Sequence, residues 1–241
     1  MTALLTTENL SKSFGSLLVI DSFHMHLDKG EALGIIGPNG AGKSTLFNLI
    51  TGSLAGVTGQ IYFDGEDITK TPAHERCRMG IGRSYQIPHP FTGMTVFENL
   101  LVGAAFGGGR TESDSYEFCA GILERTQLIN KANVLAGSLT LLERKRLELA
   151  RALATEPKAL LLDEIAGGLT EYEVKELIET IESIRAENMS IIWIEHIVHA
   201  LLSVVDRLVV INFGQKLDDG NPHKVIDSPD VQKVYMGISV E

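Results

Sequence analysis

Gly37-Pro38-Asn39-Gly40-Ala41-Gly42-Lys43-Ser44-Thr45 decides the fold of this chain. The run is a complete phosphate loop of the form G-x-x-x-x-G-K-[ST]. Ahead of it stands Ala32-Leu33-Gly34-Ile35-Ile36, a short apolar strand, and behind it Thr45-Leu46-Phe47-Asn48-Leu49-Ile50 begins a helix. Strand, glycine loop and helix N-terminus in that order build an anion site. The glycines let backbone N–H groups converge on phosphate oxygens, and the helix dipole favours negative charge there. Lys43 is placed to reach the β- and γ-phosphates of a nucleoside triphosphate, and Ser44 to hold Mg²⁺ through its hydroxyl.

The chain has 241 residues, of which 44% are hydrophobic, enough for one large domain or two lobes sharing a nucleotide. Its formal charge of -10 argues against a nucleic-acid partner held by overall charge. The two cysteines, Cys77 and Cys119, lack metal-type spacing and read as inert thiols of a reducing compartment. Met1-Thr2-Ala3-Leu4-Leu5 lacks the basic flank of a signal peptide. Asp206 and Arg207 interrupt the apolar run from Ala200 to Phe213, and no stretch reaches the ~20 apolar residues that span a bilayer. The expectation is a cytoplasmic chain that meets a membrane only through a partner.

Outward from the loop, the first part reads as β. Short strands are expected over Leu4–Leu10, Leu17–Ile20, Met25–Leu27 and Gln60–Phe63, with turns at Gly15, Lys29-Gly30 and Asp64-Gly65. Thr71-Pro72 should cap a helix ending near Gly80. From about His89 to Leu153 the pattern is mainly helical. Thr95-Val96-Phe97-Glu98 is a capping box opening a helix through Phe106, Gly107-Gly108-Gly109 reads as a flexible surface link, and Asp114 to Gln127 as another helix. Strands are then expected at Ile81–Tyr85, Ala159–Leu162, Ser190–Ile194 and Leu208–Phe213. Val174, Leu177, Ile178 and Ile181 form the apolar stripe of a helix between the second and third of these. Alternation of strand and helix implies an α/β fold with a largely parallel sheet.

Leu160-Leu161-Leu162-Asp163-Glu164 is an apolar strand ending in two acids. Parallel strands offer their C-terminal ends to a ligand crevice. Asp163 there suits the Mg²⁺ shell, and Glu164 suits the polarising of a water that attacks the γ-phosphate. Together with Leu147-Glu148-Leu149-Ala150-Arg151-Ala152-Leu153, these motifs resemble the nucleotide-binding subunit of an ATP-binding cassette (ABC) transporter, in the family's order and over essentially the whole chain.

The resemblance implies a P-loop NTPase fold with a RecA-like parallel-sheet core, an antiparallel β subdomain and a helical subdomain. Residues 1–241 would then be one ABC ATPase domain, with core at 1–88 and 154–241 and helical subdomain at 89–153. It implies that Gln86 contacts Mg²⁺ and senses a transmembrane partner, that His196 contacts the γ-phosphate, and that Phe14 stacks on adenine. Ala166-Gly167-Gly168-Leu169-Thr170 falls at the D-loop. A finer resemblance, carried by Phe91 to Gly103, Arg146 to Arg151 and Val234-Tyr235-Met236-Gly237, points to uptake systems for branched-chain amino acids, whose relatives serve other amino acids, amides and urea.

The pattern departs from the family at its signature. Leu-Ser-Gly-Gly-Gln is usual, and Leu139-Thr140-Leu141-Leu142-Glu143 stands here. The run reads as a capping box, with Thr140 as cap and Glu143 three residues on. Leucine needs no positive φ at the first helical positions. Both leucine side chains must turn away from a nucleotide, and Glu143 must fold back on its cap or repel the phosphates. Two readings stay open: this signature slows the ATP site that it completes, or the helix start works as it stands. Ile165 replaces a frequent proline after the glutamate, and Thr170 a frequent aspartate at the end of the D-loop.

By resemblance, adenine rests on Phe14, the phosphates on Gly37 to Thr45, and Mg²⁺ on Ser44, Gln86 and Asp163. Glu164 orients water and His196 stabilises the γ-phosphate. Partners implied are transmembrane permease subunits, a second ATP-binding subunit (paralogue or self) in a head-to-tail dimer, and, indirectly, a periplasmic solute-binding protein. No nucleic acid is implied. The place implied is the inner face of the cell membrane. Rival readings are an exporter or lipid-extracting ATPase, a regulatory ABC module with weak hydrolysis, and a soluble ABC ATPase acting on DNA or ribosomes.

Overall fold

The computed structural model of the chain describes residues 3–236. In chain order its elements are β1 (Ala3–Phe14), β2 (Leu17–Asp28), β3 (Ala32–Ile36), α1 (Lys43–Ile50), β4 (Thr58–Phe63), β5 (Glu66–Asp67), α2 (Ala73–Met79), β6 (Ile81–Ser84), α3 (Val96–Val102), α4 (Glu112–Arg125), α5 (Leu141–Leu153), β7 (Ala159–Asp163), α6 (Glu171–Arg185), β8 (Ser190–Ile194), α7 (Val198–Val204), β9 (Arg207–Asn212), β10 (Gln215–Gly220), α8 (Pro222–Ile226) and α9 (Pro229–Met236). The chain divides into two units, one built from the residues up to Ala73 and from Ser190 onward, the other from His74 to Met189.

In the first unit every residue of β3 and of β8 is buried. Unbroken apolar strands of this kind belong to a parallel sheet covered on both faces. β3 indeed pairs parallel to β8 on one side and to β9 on the other, and β10 adds antiparallel to β9. The charges that interrupt the apolar run before β9 are fastened at the end of the sheet. Asp206 accepts the Ala32 N–H at 2.9 Å. Arg207 donates to Glu31 at 2.6 Å, to Asp219 at 2.7 Å and to the His26 carbonyl at 2.6 Å.

A separate antiparallel sheet runs β2-β1-β4-β5. Here the sequence reading is corrected: residues 17–28 form one twelve-residue strand rather than two short ones. The polar stretch between the expected strands is carried by irregular pairing. Asn9 and Ser22 take left-handed φ of 49° and 47°, and the Ser22 N–H donates to Ser11 Oγ at 2.8 Å. Such bulges keep a strand continuous where its alternation fails.

In the second unit β6 and β7 pair in parallel, Ile81 with Ala159 through Ser84 with Leu162. The expected capping box of Thr95 with Glu98 opens α3, and a further one not read from the sequence, Thr170 with Glu173, opens α6. Thr170 at the end of the D-loop is therefore a helix cap, a post that threonine and aspartate both fill. α3 passes into a π turn over Gly103–Gly107. The glycine triplet that follows is not a loose surface link. A side chain on Gly107 would meet Thr155 at 2.5 Å, so the turn sits hard against the chain after α5. Cys119 is buried in α4, and burial pushes its thiol up to about 11. No helix among the described residues is long and apolar enough to cross a membrane.

Candidate functional site

The phosphate loop lies in the first unit, between β3 and α1. Gly40, with φ of 80°, has open space where a side chain would stand. Gly42, with φ of 106°, is the N-cap of α1 and would strike the Val19 carbonyl at 2.8 Å if it carried a Cβ. No side chain caps α1 and no acid occupies its first turn. Its positive end is thus not neutralised by its own side chains, which fits an anionic ligand. Lys43, only 5% exposed, folds across the loop and donates to the carbonyls of Gly37 at 2.6 Å and Pro38 at 3.0 Å. Asn39, Gly40 and Ser44 are exposed, Pro38 and Thr45 half-buried, and Ala41 buried.

Phe14, at the end of β1, is 48% exposed. Lys12 lies 5.4 Å from its ring centroid and also donates to the Ala55 carbonyl at 2.6 Å, so one aromatic face is fixed beside a cation. His196 follows β8 and is exposed; its backbone N–H donates to the carboxylate of buried Glu195 at 2.9 Å.

The second unit holds the acids. Asp163 ends β7, and Arg83 of β6 donates to its Oδ2 at 2.6 Å, with both side chains under a tenth exposed (7% and 6%). Asp163 Oδ1 is buried and accepts no hydrogen bond. A lone anionic oxygen of this kind fits a cation ligand, since unpartnered buried acceptors are otherwise costly. Glu164 follows with a left-handed φ of 46°, which costs a non-glycine residue roughly 1–2 kcal/mol. Gln86 Nε2 donates to Glu164 Oε2 at 2.6 Å. That leaves the amide oxygen of Gln86 as the atom a cation would use. Buried Lys145 of α5 donates to the Gln86 carbonyl at 2.5 Å, and Arg151 of the same helix to the His89 carbonyl at 2.9 Å. Ile165 is fully buried where the family often has proline.

The departed signature forms the capping box read from its sequence. Leu139 precedes it, Thr140 caps α5, and the Thr140 N–H donates to Glu143 at 2.9 Å. Glu143 also pairs with Lys131 at 3.1 Å, so its charge is answered within the unit. The two leucines part: Leu142 is buried at 7% exposure, while Leu141 stays at the surface at 43%. Partial burial tends to raise the Glu143 pKa. Hydrogen bonds from Thr140 and Lys131 outweigh that and hold it below the usual glutamate value. Thr140→Ala is expected to destabilise the chain by about 1 kcal/mol in urea denaturation. Acid weakens the same cap: its contribution is full above the ordinary glutamate pKa and is lost as pH falls through the depressed one. A Thr140→Ala chain with wild-type stability at neutral pH would contradict this.

The structure brings Asp163, Glu164 and Gln86 together in one unit, and the phosphate loop, Phe14 and His196 lie in the other. Sequence reading gave no site role to Arg83, Lys145 or Tyr235. An arginine inside a buried strand is itself a signal, because a charge there requires an acid partner. Tyr235 of α9 carried no such signal, yet its hydroxyl accepts the Gly37 N–H at 2.9 Å and donates to the Gly37 carbonyl at 3.1 Å.

Comparison with known proteins points the same way. The family profile described as ABC transporter matches residues 20–167. The high-affinity branched-chain amino acid transport ATP-binding protein of Pseudomonas aeruginosa is 38% identical over 97% of this chain and 98% of that protein. The lipopolysaccharide export system ATP-binding protein of Haemophilus influenzae is 33% identical over 98% of each. A crystal structure of the ADP conformation of an ATP-binding cassette of an ABC transporter superposes with a TM-score of 0.90 at 33% identity, covering 99% of this chain and 100% of that one.

Proposed function

Since the chain belongs to the ABC transporter family, we propose that it is the ATP-binding and hydrolysing subunit that energises an importer of branched-chain or related amino acids, amides or urea. The observation that carries the solute class is the end-to-end likeness to a branched-chain amino acid subunit at 38% identity, against 33% for the lipopolysaccharide exporter subunit. The catalytic reading rests on the phosphate loop and on the acids ending β7.

In this reading 1–241 works as one ABC ATPase domain, core at 1–88 and 154–241, helical part at 89–153. Adenine rests on Phe14, and the phosphates on the N–H groups of residues 37–45 with Lys43. Mg²⁺, held by Ser44, Gln86 and Asp163, would neutralise charge building on the β- and γ-phosphates. Glu164 orients the attacking water, and its hydrogen bond from Gln86 fixes the carboxylate's direction before substrate arrives. His196 stabilises the γ-phosphate. The Gln86 segment is the proposed contact with permease subunits. Lys145 and Arg151 grip that segment from α5, so movement there is handed to the signature at the helix's N-terminus. The signature completes the ATP site of a second ATP-binding subunit, paralogue or self, in a head-to-tail dimer. A periplasmic solute-binding protein feeds the permease, and the chain works at the inner face of the membrane.

The test is uptake. Cells lacking this chain should lose accumulation of labelled leucine, isoleucine and valine, or of an amide or urea, and the wild-type chain should restore it where Lys43→Ala does not. Full uptake of all of them, together with lipopolysaccharide held back from the cell surface, would instead favour the exporter reading.

A further inference from the structure

We propose that Tyr235 is a positioning residue for nucleotide binding, holding the Gly37 carbonyl so that Lys43 is able to leave it for a nucleotide's phosphates. The inference rests on the reading of residues 37–45 as a nucleotide site. Gly37 is buried, and its carbonyl oxygen has two donors: Lys43 Nζ at 2.6 Å and the Tyr235 hydroxyl at 3.1 Å. A carbonyl has two lone pairs, so it accepts both at once. To reach a β- or γ-phosphate, Lys43 must give up the Gly37 and Pro38 carbonyls. A buried carbonyl left without a donor is costly, and that cost would be charged against binding. The hydroxyl of Tyr235 keeps one donor on the Gly37 oxygen throughout. The same hydroxyl accepts the Gly37 N–H at 2.9 Å, so both polar groups of the loop's first residue are held by one side chain.

This assigns Tyr235 an effect that depends on Lys43 and therefore on which phosphates a ligand carries. ATP and ADP recruit the lysine. AMP, lacking the β-phosphate, does not. A phenol that only docked α9 would affect all three alike.

Tyr235→Phe removes the hydroxyl and keeps the ring. Nucleotide affinity is read by displacement of a fluorescent ATP analogue from the purified chain, and thermal unfolding without nucleotide is read beside it. The expected result is a Kd for ATP and ADP raised about five- to tenfold, with AMP changed less than about twofold; the unfolding midpoint without nucleotide should fall somewhat, because the buried Gly37 N–H loses its acceptor whichever ligand is tested. In a Lys43→Met background the same substitution should cost less than about twofold, because the lysine it serves is gone. ATP affinity equal to wild type overturns the proposal. So does an equal loss for AMP, or an additive loss in the Lys43→Met background. A wild-type chain that fails to bind ATP overturns the nucleotide reading of the loop as well, whereas a wild-type chain that binds ATP beside an unaffected Phe variant overturns only the role of Tyr235.

Discussion

Glu164→Gln is expected to lower steady-state ATP hydrolysis by roughly 10²- to 10⁴-fold, the range over which a positioned general base contributes. The substitution is nearly isosteric. An amide oxygen at 164 still accepts the hydrogen bond that Gln86 Nε2 gives to Oε2 at 2.6 Å, so the contact between the two side chains survives. The left-handed φ of 46° is a property of the backbone and costs glutamine what it costs glutamate. Folding stability and ATP affinity should therefore stay close to wild type, while the ability to polarise water is lost. Subunits that close on ATP and cannot hydrolyse it should then accumulate as an ATP-dependent dimer. Phosphate release in Mg²⁺–ATP gives the rate, and size-exclusion chromatography with ATP gives the dimer. Turnover equal to wild type would remove Glu164 from the role proposed for it.

What the sequence made legible is what neighbouring residues decide among themselves. β3, the phosphate loop and α1 follow one another along the chain, so glycine spacing and one apolar run were enough to place them. The capping boxes read at Thr95 and Thr140 are likewise four-residue statements, and each forms where its pattern stands. Even the altered signature was readable in this way, because a cap and an acid three residues on specify their own hydrogen bonds. Contacts that close across the fold were not readable. Arg83 meets Asp163 only because β6 and β7 lie side by side, and Gly37 meets Tyr235 only because α9 returns to the loop; 80 and 198 residues separate those pairs. The merging of two expected strands into β2 has the same origin. Its polar middle does not look like a strand, and β1 holds it as one through bulged pairing. The packing of Gly107 on Thr155 is a further case, since a glycine triplet reads as a flexible link unless its neighbour in space is known.

The pair of Arg83 and Asp163 carries the largest expected effect on stability. Both side chains are almost wholly buried, at 7% and 6% exposure, and the hydrogen bond between them is 2.6 Å long. Removing one charge of a buried pair leaves the other without compensation in a medium that solvates it poorly. The loss typically amounts to about 3–5 kcal/mol, far above that of a surface pair. Arg83→Met keeps much of the side-chain volume and removes the charge, so the unfolding free energy read from urea denaturation should fall by an amount of that order. Part of the loss comes from the guanidinium's place over the Tyr85 ring, 4.6 Å from its centroid. That contribution remains lost in the double variant Arg83→Met/Asp163→Asn, whereas the uncompensated charge does not. The double variant should therefore regain most, though not all, of the stability. A single variant that loses less than about 1 kcal/mol would show that the pair behaves as a solvated one. Loss without recovery in the double variant would assign the effect to packing around Tyr85. Recovery carries a consequence for the site as well. It would mean that Arg83 compensates the Asp163 charge through one oxygen, Oδ2, while the second, Oδ1, accepts no hydrogen bond and is left for the proposed cation role.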